Sequence, residues 1–415
     1  MNANTTREET GAAETESEFD EPVVDLAAYG ARFIENPYPV YEELRAKGPV
    51  HRIRLPGQER DWWLVVRNEE GRLLLADARF SKDWRSSGVW PADALPINEN
   101  MIESDPPKHT RLRALVTREF TSRRIEALAP RVHELTADLL DSMTADQDGR
   151  ADLVAALSFP LSMSVICELL GVPDLDRKSF KVWSNEIVAS TSPEATVEAV
   201  QAVTAYLTDL IGHKRAEPGD DLLSALLRTT DEEGDRLSPD ELVGMAFLLL
   251  AAGHETTVGL ISNTVLALLR HPDQLALLRA DYSLAGNAVE ETLRYDSPVE
   301  NSTYRFATED MDFRGARFEK GDPVLVSLAS AGRDGERFED ADRFDITRAA
   351  RGHLTFGHGI HYCLGAPLAR LEARVAVRAL LERCPGLRLD TSEPLVYLPG
   401  MLVRGVRRLP VRWTA

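Results

Sequence analysis

Apolar residues recur at three- and four-residue spacing over residues 123–140, 195–213, 239–270 and 366–382, the period of amphipathic helices. Shorter β-branched and aromatic runs at 62–66 and 323–328, with a Pro- and Gly-punctuated tail after Pro394, predict small sheets at the periphery. The fold class is therefore mainly α, a helical domain with a small β-rich region. The clearest helix opens at Ser238-Pro239-Asp240-Glu241, which combines an N-cap serine, proline at the first helical position and a capping-box glutamate. Running to Arg270, it spans about 45 Å at 1.5 Å per residue and, apolar along much of its length, is predicted to be buried. Residues 1–21 carry several acids against the single Arg7 and have no apolar period, so they are expected to form a disordered acidic tail. No Gly/Ser-rich linker interrupts the chain from Val23 onward, which favours one continuous domain over residues 22–415.

Charge and cysteine usage narrow the partners. A net charge of −19 argues against nucleic acid as a general partner, because phosphate binding needs a basic surface. The longest apolar run, Met245 to Ala252, falls well short of the roughly 18–20 residues of a membrane span, so no membrane partner is expected. Cys167, Cys363 and Cys384 are too few and too scattered for a disulfide framework, and no secretory signal precedes them, which points to the cytoplasm.

Candidate chemistry concentrates in Phe356-Gly357-His358-Gly359-Ile360-His361-Tyr362-Cys363-Leu364-Gly365, just ahead of the helix start Ala366-Pro367. The glycines allow a tight turn around one cysteine, and a thiolate beside a helix start is favoured by free N–H groups, which lower its basicity. Cysteine thiolate is among the few ligands proteins offer haem iron. On residue type alone, a structural cysteine is the commoner reading. Inside the long helix, Ala252-Gly253-His254-Glu255-Thr256-Thr257 is a second anomaly. Glycine costs about 1 kcal/mol there relative to alanine, and a buried acid is costly unless paired, so helix stability does not explain the run. Glycine leaves room for a diatomic ligand beside an iron, while Thr256 and Glu255 can relay protons. The alternative is a polar kink that serves packing.

Both segments resemble the cytochrome P450 family. Its haem loop, Phe-Gly-x-Gly-x-His-x-Cys-x-Gly, is matched by Phe356, Gly357, Gly359, His361, Cys363 and Gly365, and its oxygen-activation motif, Ala-Gly-x-Glu-Thr-Thr, by residues 252–257. The resemblance runs from about Val23 to the C-terminus. It implies a P450 fold, heme b as cofactor, Cys363 as the iron ligand, and Thr256 and Glu255 as the catalytic proton-delivery pair. It also nominates His109, Arg113, Arg305 and His361 to hold the haem propionates. Glu291 and Arg294 match the Glu-x-x-Arg pair, with Arg343 as the implied third partner. Nearby, the sequence departs from common family wording at Gly332-Arg333-Asp334-Gly335 and at Ala341.

Ser81-Lys82-Asp83-Trp84-Arg85, Glu103-Ser104-Asp105-Pro106-Pro107 and the stretch from Gly352 to Arg374 are most similar to actinomycete enzymes that hydroxylate macrolides and other polyketides. The resemblance thus implies a monooxygenase that uses dioxygen to hydroxylate or epoxidise a bulky apolar substrate. Steroid-like or vitamin D-like substrates are the alternative, and a haem-containing ligand-binding protein is the non-enzyme alternative. Residues 86–100 form a predicted loop over the distal side. Within it, Asp93 and Glu99 are candidates to pair with an amino-sugar cation, set against the plainer reading of solvated loop acids. Ile187, Val188, Leu248, Ala252, Val299 and Met401 are further pocket candidates placed by the resemblance. The chain has neither a flavin domain nor an iron–sulfur cysteine set, so a ferredoxin and a ferredoxin reductase are the implied electron donors. Arg111, Arg113, Arg370 and Arg374 are expected to form a basic docking patch on a monomer.

Overall fold

The computed structural model describes residues 22–58, 60–87, 95–145, 148–173, 177–188, 192–229 and 234–414. The expected acidic tail, 1–21, and the loop candidate Asp93 lie outside the described residues.

The long helix forms as predicted, Pro239–Arg270. Ser238 Oγ accepts from the Glu241 N–H at 3.2 Å, and Glu241 Oε2 accepts from the Ser238 N–H at 2.8 Å, which satisfies two orphan donors of the first turn. Such a cap is worth about 1 kcal/mol, so Ser238→Ala is expected to lower the thermal midpoint by roughly 2 °C, with Ser238→Asp retaining it. By length and composition this helix could cross a membrane, with mean hydropathy 1.4 over 18 residues. Counting uninterrupted apolar residues missed that property. Its apolar surface is instead covered by protein: Met245, Leu250, Ile261 and Val265 are buried with Leu161 and Val165 of the helix Phe159–Leu170 and with Val375, Ala376 and Leu380 of the helix Ala366–Arg383. Each fully buried Leu, Ile or Val contributes about 1.5–3 kcal/mol.

The other predicted helices are Ser122–Ala145 and Pro193–Ala216, each slightly longer than its apolar period. Eleven strands occur among the described residues: β1 (Val24–Asp25), β2 (Val50–Arg54), β3 (Asp61–Val65), β4 (Phe80–Ser81), β5 (Arg150–Asp152), β6 (Arg305–Ala307), β7 (Met311–Phe313), β8 (Ala316–Phe318), β9 (Pro323–Val326), β10 (Arg388–Leu389) and β11 (Pro410–Arg412). The largest sheet has the order β1-β2-β3-β9-β6-β4. Its centre pairs β3 and β9 in parallel, Leu64 beside Leu325, and both strands are buried on two faces, which explains their unbroken apolar runs. At its edge β4 pairs antiparallel with β6, Ser81 opposite Phe306. The tail after Pro394 contributes bridges Val299–Val403 and Tyr397–Val406 as well as β11.

Candidate active site

The cysteine segment is a turn held at its neck by the Cys363 N–H donating to the Phe356 carbonyl at 2.8 Å. Gly357 and Gly359 both have φ of +74°, a conformation that glycine alone adopts without strain. A side chain at Gly359 would also press within 3.0 Å of the Leu75 carbonyl oxygen. Cys363 has accessible surface although it lies deep enough in the protein for burial to push its thiol up from the ordinary range. The Gly365 and Ala366 amides and the Arg113 and Arg370 charges pull the other way. The expected lowering by the helix start is therefore present, but burial outweighs it.

The four predicted propionate residues gather beside this turn. The His109 and His361 ring centroids are 4.2 Å apart, and Arg113 Nη2 donates to the Tyr362 carbonyl at 2.7 Å. Burial, then Arg305, His109, Lys82 and Arg113, drives the His361 imidazole down to about 2. His109 Nδ1 and Nε2, His361 Nε2 and Arg305 Nε are buried without hydrogen-bond partners among the described residues. Buried polar atoms are rarely left so, and this convergence of donors fits the carboxylates of a haem. Sequence reasoning missed one neighbour of this group, Lys82, whose buried charge is felt at His361. A lysine in a polar turn carries no signal of burial.

The central helix is continuous, but its burial is broken at its middle. Ala252 is exposed within it, and Thr256 Oγ donates to the Ala252 carbonyl one turn back at 2.8 Å. His254 is fully buried, with Nδ1 2.8 Å from the Leu250 carbonyl and Nε2 3.2 Å from Glu255 Oε1. The Glu255 carboxylate therefore faces its histidine neighbour, and no hydrogen bond joins it to Thr256 among the described residues. The expectation for Gly253 is corrected. A Cβ there would meet Ile166 Cδ1 at 2.8 Å, so the glycine serves close packing against the helix Phe159–Leu170.

Glu291 and Arg294, on the helix Ala285–Tyr295, form a fully buried two-pronged pair at 2.7 and 2.8 Å. The predicted third partner is corrected too. The Arg343 side chain is 63% exposed and points to Asp345, and only its carbonyl meets Arg294, at 3.0 Å. The guanidinium beside Glu291 is that of Arg348, Nε to Oε1 3.4 Å. The family departure at Gly332 has a steric cause, because a Cβ there would fall 2.1 Å from the Arg294 carbonyl oxygen.

Glu99 is not free to take a substrate cation, since it pairs with Arg85 at 2.7 Å and with Lys108. Arg111 is likewise held by Asp235 at 2.9 Å and by Glu241, and Arg370 by Glu290 at 2.5 Å, whereas Arg374 is exposed. Leu248 and Ala252 sit one turn apart on the central helix, and Leu248 and Ile187 pack against the same core cluster. Val188 ends the helix Arg177–Val188. Val299 bridges Val403 two residues beyond Met401, whose carbonyl accepts from Asn301 Nδ2 at 2.6 Å. Phe356 lies 4.4 Å from the Arg370 guanidinium, and Gly365 precedes the helix that follows the cysteine.

Comparison with known proteins gives a consistent result. The family model described as Cytochrome P450 matches residues 31–404. The chain is 56% identical over 394 residues to the cytochrome P450 monooxygenase PikC of Streptomyces venezuelae, covering 94% of each. It is 46% identical over 390 residues to the 6-deoxyerythronolide B hydroxylase of Saccharopolyspora erythraea, covering 90% of this chain and 95% of that one. Among solved structures, the myxobacterial cytochrome P450 CYP267B1 in complex with myristic acid superposes with a TM-score of 0.88 at 39% identity, covering 94% and 99% of the two chains.

Proposed function

Because this chain belongs to the cytochrome P450 family and is therefore a haem b monooxygenase, we propose that it hydroxylates or epoxidises a macrolide or other polyketide, with Cys363 as iron ligand. The observation that carries the chemistry is the central helix, buried along most of its length yet exposed at Ala252 with the Thr256 hydroxyl one turn away. Relatives named for hydroxylating 6-deoxyerythronolide B support the substrate class.

Haem, when bound, supplies dioxygen activation and oxygen transfer to the substrate. The protein supplies position and protons. The amides of Gly365 and Ala366 and the charges of Arg113 and Arg370 favour negative charge at Cys363 Sγ. His109, Arg113, Arg305 and His361 supply donors for the propionates, and Phe356 and Gly365 frame the turn. Thr256 Oγ–H donates a hydrogen bond to the Ala252 carbonyl at rest, so its lone pairs are open to accept. In that position Thr256 can pass a proton to the oxygen being activated only as it accepts one in return, and Glu255, 17% exposed and paired with His254, would resupply it through solvent. Leu248, Ala252, Ile187, Val299 and Met401 provide apolar contacts to the substrate, and the side chain of the further candidate Val188 lies outside the described residues.

Thr256→Ala is expected to lower product formed per NADPH by about tenfold or more, with peroxide making up the difference and Thr256→Ser restoring coupling. A fully coupled Thr256→Ala enzyme would assign proton delivery elsewhere. Electrons arrive from a ferredoxin and its reductase, docking beside exposed Ile360, Tyr362 and Arg374. Three free cysteines fit a reducing cytoplasm. The substrate reading is tested by titrating the holoenzyme with macrolide, polyketide and steroid-like panels. Haem spin state is followed first, then product formation with a surrogate ferredoxin system. Conversion of macrolides is the expected result. Conversion confined to steroid-like compounds, or binding without product, would overturn it.

A further inference from the structure

Lys82 directly follows β4 and is 2% exposed. Lysine is almost never buried unless paired with an anion, yet Lys82 forms no ion pair among the described residues. Its Nζ donates to Thr303 Oγ1 and to the Tyr304 carbonyl, both at 2.7 Å, and lies 4.9 Å from the Tyr304 ring centroid. Two neutral oxygens use two of the three ammonium donors.

The register explains why this is costly. Phe80 pairs with Ala307 and Ser81 with Phe306, so Lys82 leaves the end of this ladder near Arg305, whose charge acts on it. Like charges repel, and here both are desolvated. Among the described residues Arg305, 5% exposed, donates only to the carbonyls of Phe80 and Leu75 and leaves Nε without a partner. The nearby carboxylates are engaged elsewhere. Asp105 accepts from Ser81 Oγ and from the Lys82 main-chain N–H, and Glu103 accepts from Trp84 Nε1 and Asn98 Nδ2. Burial and then Arg305 bring the Lys82 amine down to about 7 against the pull of Glu103 and Asp105. The protein thus places two buried cations side by side and does not itself neutralise them.

We propose that Lys82 is a further propionate-binding residue, acting with Arg305, and that bound haem holds its proton in place. This rests on the reading of His109, Arg113, Arg305 and His361 as the propionate donors. A propionate beside Nζ takes the third ammonium donor and supplies the missing negative charge, which raises the Lys82 pKa in the loaded protein. Linkage then runs both ways. Haem is held most tightly while Lys82 is protonated, and retention falls as pH rises through the raised pKa. The groups facing Lys82 are Arg305 and Tyr304 from the strand side, Glu103 and Asp105 from the segment ahead of the helix Lys108–Glu119, and His361 from the cysteine segment.

The test compares wild-type, Lys82→Met and Lys82→Arg holoenzymes by the rate of haem transfer to excess apomyoglobin, from neutral to alkaline pH. At neutral pH Lys82→Met is expected to lose haem about tenfold faster, the worth of one charge-assisted hydrogen bond. Lys82→Arg, which stays charged, is expected to remain slow at every pH, while the wild type converges on Lys82→Met as pH rises. The reduction potential should shift negative in Lys82→Met and not in Lys82→Arg, because a nearby cation favours the reduced iron. Identical rates and pH profiles for wild type and Lys82→Met would overturn the proposal. So would a Lys82→Arg enzyme as leaky as Lys82→Met with an unchanged potential, since packing would then be responsible. A wild-type chain that holds no haem would instead overturn the cofactor reading beneath it.

Discussion

Cys363→Ser is expected to fold, to lose the thiolate signature in the reduced carbon monoxide spectrum, and to lose monooxygenation by at least about 10³-fold, roughly 4 kcal/mol of barrier. Three features lead there. The contact that holds the turn is the main-chain bond from Cys363 to the Phe356 carbonyl, which serine retains. The side chain has accessible surface, so replacing sulfur by oxygen leaves no filled cavity empty. The donors aimed at this atom, the amides of Gly365 and Ala366, favour negative charge that a serine hydroxyl does not carry at neutral pH. Cys167→Ser and Cys384→Ser are the controls. Both side chains are buried away from this turn, Cys167 3.6 Å from the Met163 sulfur, so each is expected to cost stability and keep the signature. A Cys363→Ser protein that kept the signature would move the ligand to another residue.

Much of this site was legible because its chemistry is written in short spacings. The capping box at Ser238 and Glu241 is set by three residues of separation, and the cysteine turn by two glycines one residue apart from each other across His358. The misreadings share a physical origin: each needed the identity of a distant neighbour. Gly253 looked like space for a ligand because nothing in the helix shows that Ile166, from another helix, fills it. Glu99 looked like a free acid because its cations, Arg85 and Lys108, flank it by 14 and 9 residues along an irregular path. Lys82 gave no sign of burial because its partner cation is reached only through the pairing of β4 with β6. Arg343 was named by resemblance and Arg348 was missed, because the course of a loop decides which side chain turns inward.

Glu291→Gln is expected to destabilise the protein by about 3–5 kcal/mol and to abolish stable haem loading, because it removes one partner of a fully buried ion pair. Glu291 accepts from Arg294 Nε and Nη2, accepts the Asp345 N–H at 2.9 Å and lies 3.4 Å from Arg348 Nε. Without its charge, two guanidinium groups face a neutral amide in a site that water does not reach. Arg294 carries the effect outward, since its Nη1 donates to the carbonyls of Gly332 and Ala341 at 2.8 and 2.6 Å and its Nη2 to that of Arg343 at 3.0 Å. These bonds fix the course of the chain just ahead of the cysteine turn, and lysine, with three donors on a single nitrogen, cannot replace the fork. Arg294→Lys is therefore expected to fail almost as badly as Glu291→Gln. The arginines then separate the two possible third partners. Arg343→Ala, at a largely exposed side chain, is expected to stay within about 0.5 kcal/mol of wild type. Arg348→Ala, at a side chain 15% exposed beside Glu291, is expected to cost more than 1 kcal/mol, about the worth of a partly buried ion pair. Urea unfolding with haem content measured in parallel reads all four variants. If Arg343→Ala unfolded with Glu291→Gln while Arg348→Ala matched wild type, the assignment of Arg348 to the buried pair would be wrong.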